Sequence, residues 1–165
     1  MKRVLLDTNI YGLMVIDKDR DRLRDSIEQV KTVVIYGLPL IRKELRDTPK
    51  NIKVREVNLR NYLLRLYEEV TKGRTLNITL KEESLADAYF TVYREIGGIA
   101  SKQELIKDFI IVACASINSL DIVVSQDHKT MVSEKALKSY AIVNKIKKIN
   151  LPGFLNYEEF KKAIR

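Results

Sequence analysis

The sequence predicts an α/β protein whose small, mostly parallel sheet is covered by helices on both faces. Short apolar runs occupy residues 4–6, 32–36 and 121–125, and such runs are typical of strands buried on both faces. Longer segments between them carry apolar residues at helical spacing. Because strands alternate with helices along the chain, we expect parallel pairing. Several strands are short and helices outnumber them, so we expect the sheet to be small.

Two segments in the middle of the chain predict amphipathic helices. Residues 55–71 carry Leu, Tyr and Val at the spacing that one helix face requires. Thr79 and Glu82 form a capping box, in which each side chain satisfies a backbone N–H at the start of a helix. We expect that second helix to end at the glycine pair 97–98.

A third helix is expected to lie at the centre of the fold. Ser101 and Glu104 form another capping box. The segment that follows, to about residue 119, is apolar nearly all round, as buried helices are. Asp108 interrupts this segment, and a carboxylate in such surroundings needs a partner.

The remaining elements have weaker patterns. Residues 23–30 have helical spacing, and Pro39 suits an early position of a short helix over residues 39–46. Asn156 and Glu159 favour a terminal helix over residues 157–164. We also expect a short helix or buried turn at 10–16, a turn at 48–51, a short helix at 133–140, a last strand from 141 to 144 or on to 149, and a break at 151–153.

Composition and charge narrow the class of protein. With 165 residues, 45% of them hydrophobic, we expect a single domain over residues 1–165, with extra helical content around 72–100. The net charge of +8 favours a polyanionic partner such as nucleic acid. An excess of lysine is also common on thermophile surfaces. No stretch is long and apolar enough to span a membrane, so we expect no membrane partner.

The single cysteine and the single histidine exclude two further classes. Cys114 cannot form a disulfide within the chain, and the N-terminal apolar run is too short for a signal peptide. We therefore expect a reducing, cytoplasmic location. With only one Cys and only His128, a zinc site built from these residue types is excluded.

Four carboxylates occupy related places in the predicted fold. Asp7 and Asp127 each follow a buried strand directly. Glu44 lies on the short helix after the second strand, and Asp108 interrupts the buried helix before the third. Ligands of open α/β sheets bind at the carboxyl ends of the strands. Acids meeting there suit a hard divalent cation such as Mg²⁺ or Mn²⁺, although Asp7 alone also suits a helix cap.

The motifs around these acids resemble those of the PIN-domain ribonucleases, the family that includes the VapC-type toxin nucleases. The four motifs are VLLDTN with Asp7, KEL with Glu44, KDFIIVACA with Asp108 and IVVSQD with Asp127. Their order, approximate spacing and predicted surroundings match the family. The segment LPGFLNYEEF also resembles the end of such domains. The resemblance covers essentially the whole chain.

This resemblance implies a fold, an activity and a set of site residues. The fold is a three-layer α/β/α sandwich, and the activity is Mg²⁺- or Mn²⁺-dependent endonucleolytic cleavage of RNA. The biological role is either that of a toxin, with an antitoxin as partner, or that of an RNA-processing enzyme, and a homodimer is common in the family. The implied catalytic and metal-binding acids, followed by two supporting polar residues, are Asp7, Glu44, Asp108, Asp127, Asn9 and Ser125.

Basic side chains beside the acids are candidates to hold an RNA backbone. Arg42, Lys43, Lys107 and Lys129 adjoin the acids in sequence, and cations position phosphates without reading bases. Solvated surface charge is the alternative for each of them. His128 is a candidate to contact a phosphate or a metal ion, and a surface position is its alternative.

Two other functions fit parts of the pattern. A divalent-metal phosphatase of a different α/β fold would use an N-terminal aspartate as nucleophile. Such enzymes usually carry a second aspartate two residues later, where this chain has Asn9. A non-catalytic RNA-binding or interaction module of the same fold would not need all four acids, so their presence favours the nuclease.

Overall fold

The computed structural model describes residues 1–29 and 33–164. Helices and strands alternate along most of the chain, as the sequence predicts. In chain order the elements are β1 (Lys2–Leu6), α1 (Thr8–Ile16), α2 (Arg20–Gln29), β2 (Val33–Tyr36), α3 (Pro39–Arg46), β3 (Lys53–Val54), β4 (Val57–Asn58), α4 (Leu59–Thr71), α5 (Leu80–Glu95), α6 (Lys102–Ile117), β5 (Ile122–Val124), α7 (Glu134–Lys147), β6 (Gly153–Leu155) and α8 (Tyr157–Ala163).

The centre of the fold is a four-stranded parallel sheet in the order β2-β1-β5-β6. Val4 of β1 pairs with Ile35 on one side and with Ile122 on the other. Helices α1 to α4 pack on one another, and α5 packs on both α6 and α7. With the sheet between these two helix groups, the molecule is the three-layer α/β/α sandwich that the resemblance implies.

Local capping chemistry defines where several helices begin. Both hydrogen bonds of the predicted capping boxes form at the starts of α5 and α6, and a third box opens α8. Helix α6 buries both Phe109 and Val112 completely, which confirms its central position. The short helix α3 has the predicted bounds, and α1 occupies the segment expected to be a short helix or a turn.

The predicted last strand at residues 141–144 is wrong, because α7 runs without a break from Glu134 to Lys147. Its buried residues Ala136, Tyr140 and Val143 follow helical spacing. Asn144 is also buried, where it accepts a hydrogen bond from the Tyr89 hydroxyl (2.6 Å). The last strand of the sheet is instead β6, part of which was predicted to be a break.

The predicted helix over residues 55–71 begins four residues late, at Leu59. Residues before it form the antiparallel hairpin β3–β4, whose turn places Arg55 and Glu56 in the left-handed region, with φ of 50° and 64°. Asn58 then caps α4 by accepting a hydrogen bond from the backbone of Asn61 (3.0 Å). The strand residues bear no alternating pattern long enough to predict the hairpin.

Two parts of the expected secondary structure lie outside the described residues. They are Val30, at the end of the predicted helix over 23–30, and Thr32, at the start of the predicted second strand. Within residues 1–29 and 33–164, no helix has the length and apolar character needed to cross a membrane. The single domain over residues 1–165 stays a prediction.

Candidate active site

Asp7 lies at the junction of β1 and α1, where it has two structural roles. It is the N-cap of α1, because its side chain accepts a hydrogen bond from the backbone of Thr8 (2.7 Å). Its Oδ2 atom accepts hydrogen bonds from Ser125 Oγ (2.7 Å) and Asn9 Nδ2 (2.8 Å). The residue is buried. The helix-cap alternative and the convergence of Asp7 with its predicted supporting residues are therefore both observed.

Asp127 is held by the loop that follows β5. Its backbone N–H donates to Ser125 Oγ (3.0 Å), so the same hydroxyl joins Asp127 to Asp7. Its Oδ1 atom accepts a hydrogen bond from the backbone of Thr130 (2.9 Å). Burial raises the pKa of Asp127, but the hydrogen bonds from Thr130 and from the backbone of Lys129 outweigh it and lower the pKa. Asp127 is thus expected to be ionised at neutral pH.

The segment 125–126 is also fastened by the C-terminal part of the chain. The backbone N–H of Ser125 donates to the carbonyl of Leu155 in β6 (3.1 Å). The side-chain oxygen of Gln126 accepts from the backbone of Tyr157, the first residue of α8 (3.2 Å). This loop is therefore held between the first strand and the last.

Asp108 reaches the same place from α6. Its Oδ2 atom accepts a hydrogen bond from the hydroxyl of Thr130. Burial raises the pKa of Asp108 to about 7, the Thr130 hydrogen bond opposes that rise, and the charges of Asp7, Asp127 and Glu44 add to it. A carboxylate that titrates near neutrality lacks an adequate counter-charge.

Glu44 approaches from α3 and is half-buried. Its Oε2 atom accepts a hydrogen bond from the Thr8 hydroxyl, and its Oε1 atom forms an ion pair with Lys107 Nζ (3.1 Å). Burial raises the pKa of Asp7, hydrogen bonds from Ser125 and Thr8 lower it, and the charge of Glu44 raises it again. The structure therefore brings all four predicted acids together at the carboxyl edge of the sheet.

The acids are not arranged as a ready-made set of metal ligands. In the described part of the chain, no three His, Cys, Asp or Glu side chains are placed to hold one ion as they stand. Each acid accepts hydrogen bonds from neighbouring hydroxyl, amide or ammonium groups instead. The donor set still fits Mg²⁺ or Mn²⁺, because it offers only oxygen atoms and carries excess negative charge. Coordination would require the threonine hydroxyls to release Asp108 and Glu44.

The candidate basic residues beside the acids have different surroundings. Lys107 pairs with Glu44 of the cluster. Arg42 pairs instead with Glu68 of α4 (2.7 Å), and Lys43 lies 3.6 Å from Asp47 in its own helix. The side chains of two further candidates in the loop after β5 are exposed; they are His128 and Lys129.

Sequence reasoning missed two hydroxyl donors, Thr8 and Thr130. Thr8 was taken as a turn residue, although it directly follows Asp7 in the VLLDTN motif. Thr130 lies three residues after Asp127, in a segment without periodicity. A hydroxyl within three residues of an acid at a strand end was the available indication, but its partner on another element is determined only by tertiary packing.

Comparisons with known proteins bear on the fold. No family model and no curated protein matches the sequence. Among solved structures, the chain is similar to VapBC2 from Rickettsia felis bound to a DNA fragment from their promoter, at 15% identity and a TM-score of 0.55, over 93% of this chain and 98% of that one. It is also similar to FitAB bound to an IR36 DNA fragment, at 16% identity and a TM-score of 0.56, over 93% of this chain and 94% of that one. The chain thus has a PIN-like fold, as its motifs predict.

Proposed function

We propose that the protein is a divalent-metal-dependent ribonuclease that hydrolyses phosphodiester bonds in RNA. One observation carries this proposal, namely that four carboxylates from four separate elements meet at the carboxyl edge of the sheet. The pKa of about 7 for Asp108 marks a cluster with too little positive charge of its own. A cation would supply that charge, and the net charge of +8 on the chain favours a polyanionic substrate.

The proposed roles of the acids follow from their surroundings. Asp7, Asp108 and Asp127 would hold Mg²⁺ or Mn²⁺, with Glu44 binding directly or through water. When bound, the ion activates a water molecule and neutralises charge on the scissile phosphate. Asn9 and Ser125 keep Asp7 in one orientation through its Oδ2 atom. Thr130 and Thr8 hold Asp108 and Glu44 in the metal-free protein.

The structural relatives suggest a biological setting. VapBC2 and FitAB are each described as bound to DNA, and both are toxin–antitoxin complexes. We extend this setting to the present chain as a toxin-type nuclease of the cytoplasm, held in check by an antitoxin. RNA processing is the alternative role, and a homodimer stays a prediction. Their likeness to this chain, at 15% and 16% identity, supports the fold and leaves the partner as a proposal.

A second candidate is a non-catalytic RNA-binding module with the same fold. It is favoured by the finding that no three acids of the described residues are placed to hold one ion as they stand. The phosphatase alternative presupposed a different α/β fold, and the PIN-like fold leaves it without support.

The proposal is tested by cleavage of labelled single-stranded RNA with Mn²⁺ or with EDTA. We expect cleavage by the wild type with Mn²⁺, none with EDTA, and a loss of at least about 100-fold in Asp7→Asn and Asp108→Asn, since charge stabilisation is a large catalytic contribution. The matched control is Asp87→Asn, which alters an exposed acid on α5 and should leave the rate unchanged. Undiminished cleavage by Asp7→Asn would remove the proposal. Binding of RNA by the wild type without cleavage would favour the second candidate.

A further inference from the structure

A second basic site lies away from the acid cluster, between α2, the hairpin β3–β4 and α4. A cleft of about 270 Å³ is lined there by Arg20, Arg24, Arg55 and Arg65, and we name it the arginine cleft. We propose that the arginine cleft binds single-stranded RNA, with a phosphate on the guanidinium groups and a base on the apolar wall beside them. This inference rests on the proposed function insofar as that function makes RNA the ligand.

The choice of cation favours phosphate as the ligand. The chain has 12 arginines and 18 lysines, yet the cations that line this cleft are four arginines. A guanidinium group offers a planar fork of N–H donors that matches two phosphate oxygens, whereas an ammonium group acts as a point charge. Four arginines from three elements therefore suit a phosphodiester better than general surface charge would.

One of these arginines has an unsatisfied donor. The Nε atom of Arg20 is buried and has no hydrogen-bond partner in the described structure. The carboxylate of Asp21 lies 3.7 Å from it, which is too far for a hydrogen bond. The guanidinium group lies over the ring of Tyr62, 5.8 Å from its centroid. A buried donor without an acceptor is costly, and an anion in the cleft would offer the acceptor.

Two other arginines share a single acid. Glu69 of α4 accepts from Arg24 at 3.4 Å and from Arg65 at 2.9 Å. One carboxylate cannot neutralise two guanidinium groups, so this pair keeps a net positive charge. The ion pairs also hold both side chains in place before any ligand arrives, which lowers the entropic cost of binding.

The remaining walls of the cleft are apolar, which favours a nucleotide over an acidic peptide. Val54 and Val57 of the hairpin line the cleft together with the half-buried Tyr62. Half of the Val57 surface is exposed. The left-handed turn places Arg55 between these two valines in the sequence. Single strands bind where cations track the backbone and flat apolar or aromatic surfaces receive the bases.

Helix α4 connects the arginine cleft to the acid cluster. Tyr62 and Arg65 line the cleft, whereas Tyr67 of the same helix donates a hydrogen bond to the carbonyl of Leu38 (3.2 Å). Leu38 immediately precedes α3, the helix that carries Glu44. An RNA strand longer than a few nucleotides can therefore engage both places, with the cleft anchoring it while the acids face another phosphate.

The test measures RNA binding in a protein that carries Asp7→Asn, so that cleavage does not intervene. The probe is a fluorescein-labelled oligouridylate, and anisotropy is measured at several salt concentrations. We expect Arg55→Ala/Arg65→Ala to weaken binding about tenfold and to lower the slope of log K against log salt by about 2, one for each lost phosphate contact. The matched control is Arg22→Ala, which removes an exposed arginine of α2 outside the cleft and should change affinity less than twofold.

Further arms make the result decisive. Arg55→Lys/Arg65→Lys keeps the charge and should retain most of the salt slope, which guards against loss of folding in the alanine variant. Equal affinity of the double alanine variant and Arg22→Ala would overturn the proposal. It would also be overturned if the double variant lost binding of polyglutamate but kept that of RNA, because the cleft would then take an acidic peptide. Because no cleavage is needed, failure of the nuclease proposal is seen separately in the Mn²⁺ assay.

Discussion

The hydroxyl of Thr130 donates a hydrogen bond to Asp108, while its backbone N–H donates to Asp127 (2.9 Å). One threonine thereby joins an acid on α6 to an acid in the loop after β5. Asp108 gains a donor that partly opposes the effects of burial and of its acidic neighbours. Thr130 is thus a positioning residue of the cluster in the metal-free protein.

Removing the Thr130 hydroxyl should destabilise the protein in a pH-dependent way. In EDTA, we expect Thr130→Val to lower the free energy of unfolding by about 1–2 kcal/mol at pH 8, where Asp108 is mostly ionised. The loss should be smaller at pH 5.5, where Asp108 is protonated and needs the donor less. Urea denaturation measures both values. Thr130→Ser keeps the hydroxyl and serves as the control; equal losses in the two variants would contradict the role given to this group.

The raised pKa of Asp108 should make stability fall with rising pH. Its pKa is about 7 in the folded protein, against an ordinary value of 3.8. Between these values the folded state keeps a proton that the unfolded chain releases, so the free energy of unfolding falls as pH rises from about 4 to about 7. Asp108→Asn cannot ionise and should escape this fall, gaining on the order of 2 kcal/mol over the wild type across that range in EDTA.

The control for this titration is Asp87→Asn, at an exposed residue that pairs with Lys102. Its difference from the wild type should stay nearly constant between pH 4 and pH 7, because surface pairs contribute little. Parallel curves for the wild type and Asp108→Asn would show that Asp108 is not the group that titrates.

Divalent ions should stabilise the folded protein through the acid cluster. An ion that binds only the native state at about 100 times its Kd adds about 2.7 kcal/mol, which corresponds to a rise in Tm of about 5–10 °C for a chain of this size. We expect Mn²⁺ to produce such a rise at pH 7.5 and a smaller one at pH 5.5, since the proton on Asp108 must leave first. Thermal unfolding of the wild type, Asp108→Asn and Asp87→Asn measures it. A rise of the same size in Asp108→Asn would place the ion elsewhere.

Two glycines should respond oppositely to alanine. A Cβ atom on Gly12, inside α1, would meet nothing within 4 Å, so Gly12→Ala should stabilise the protein by about 0.5–1 kcal/mol through helix propensity. A Cβ atom on Gly37 would lie 2.1 Å from the Tyr67 hydroxyl. That hydroxyl bonds to Leu38, so Gly37→Ala should cost about 1–3 kcal/mol by overpacking. Urea denaturation compares the pair, and the same sign for both would contradict the packing around Gly37.

Features that depend on local sequence could be predicted, and those that depend on distant partners could not. The capping boxes of α5 and α6 act within four residues, and the buried strands are continuous apolar runs. Helix α7 was mistaken in part for a strand because Ser139 and Asn144 are buried polar residues that interrupt its apolar face. Asn144 is satisfied by Tyr89 and Ser116, which lie 55 and 28 residues away in the chain.

The candidate site shows the same division. The positions of Asp7 and Asp127 at strand ends predicted their convergence, since the carboxyl ends of parallel strands share one edge. The hydroxyl partners Thr8 and Thr130 were missed because their acceptors lie on other elements. The hairpin before α4 was missed because its left-handed turn is built by Arg55 and Glu56 rather than by the glycine or asparagine that usually marks such turns.

The attachment of the loop after β5 to Leu155 and Tyr157 has a consequence during translation. These two hydrogen bonds can form only after the final segment has left the ribosome tunnel. A nascent chain that has exposed residues 1–130 therefore already contains all four acids but lacks the strand and helix that fasten Ser125 and Gln126. Assembly of the acidic pocket is thus coupled to completion of the polypeptide, so that a truncated product would carry the acids without the scaffold that orders them.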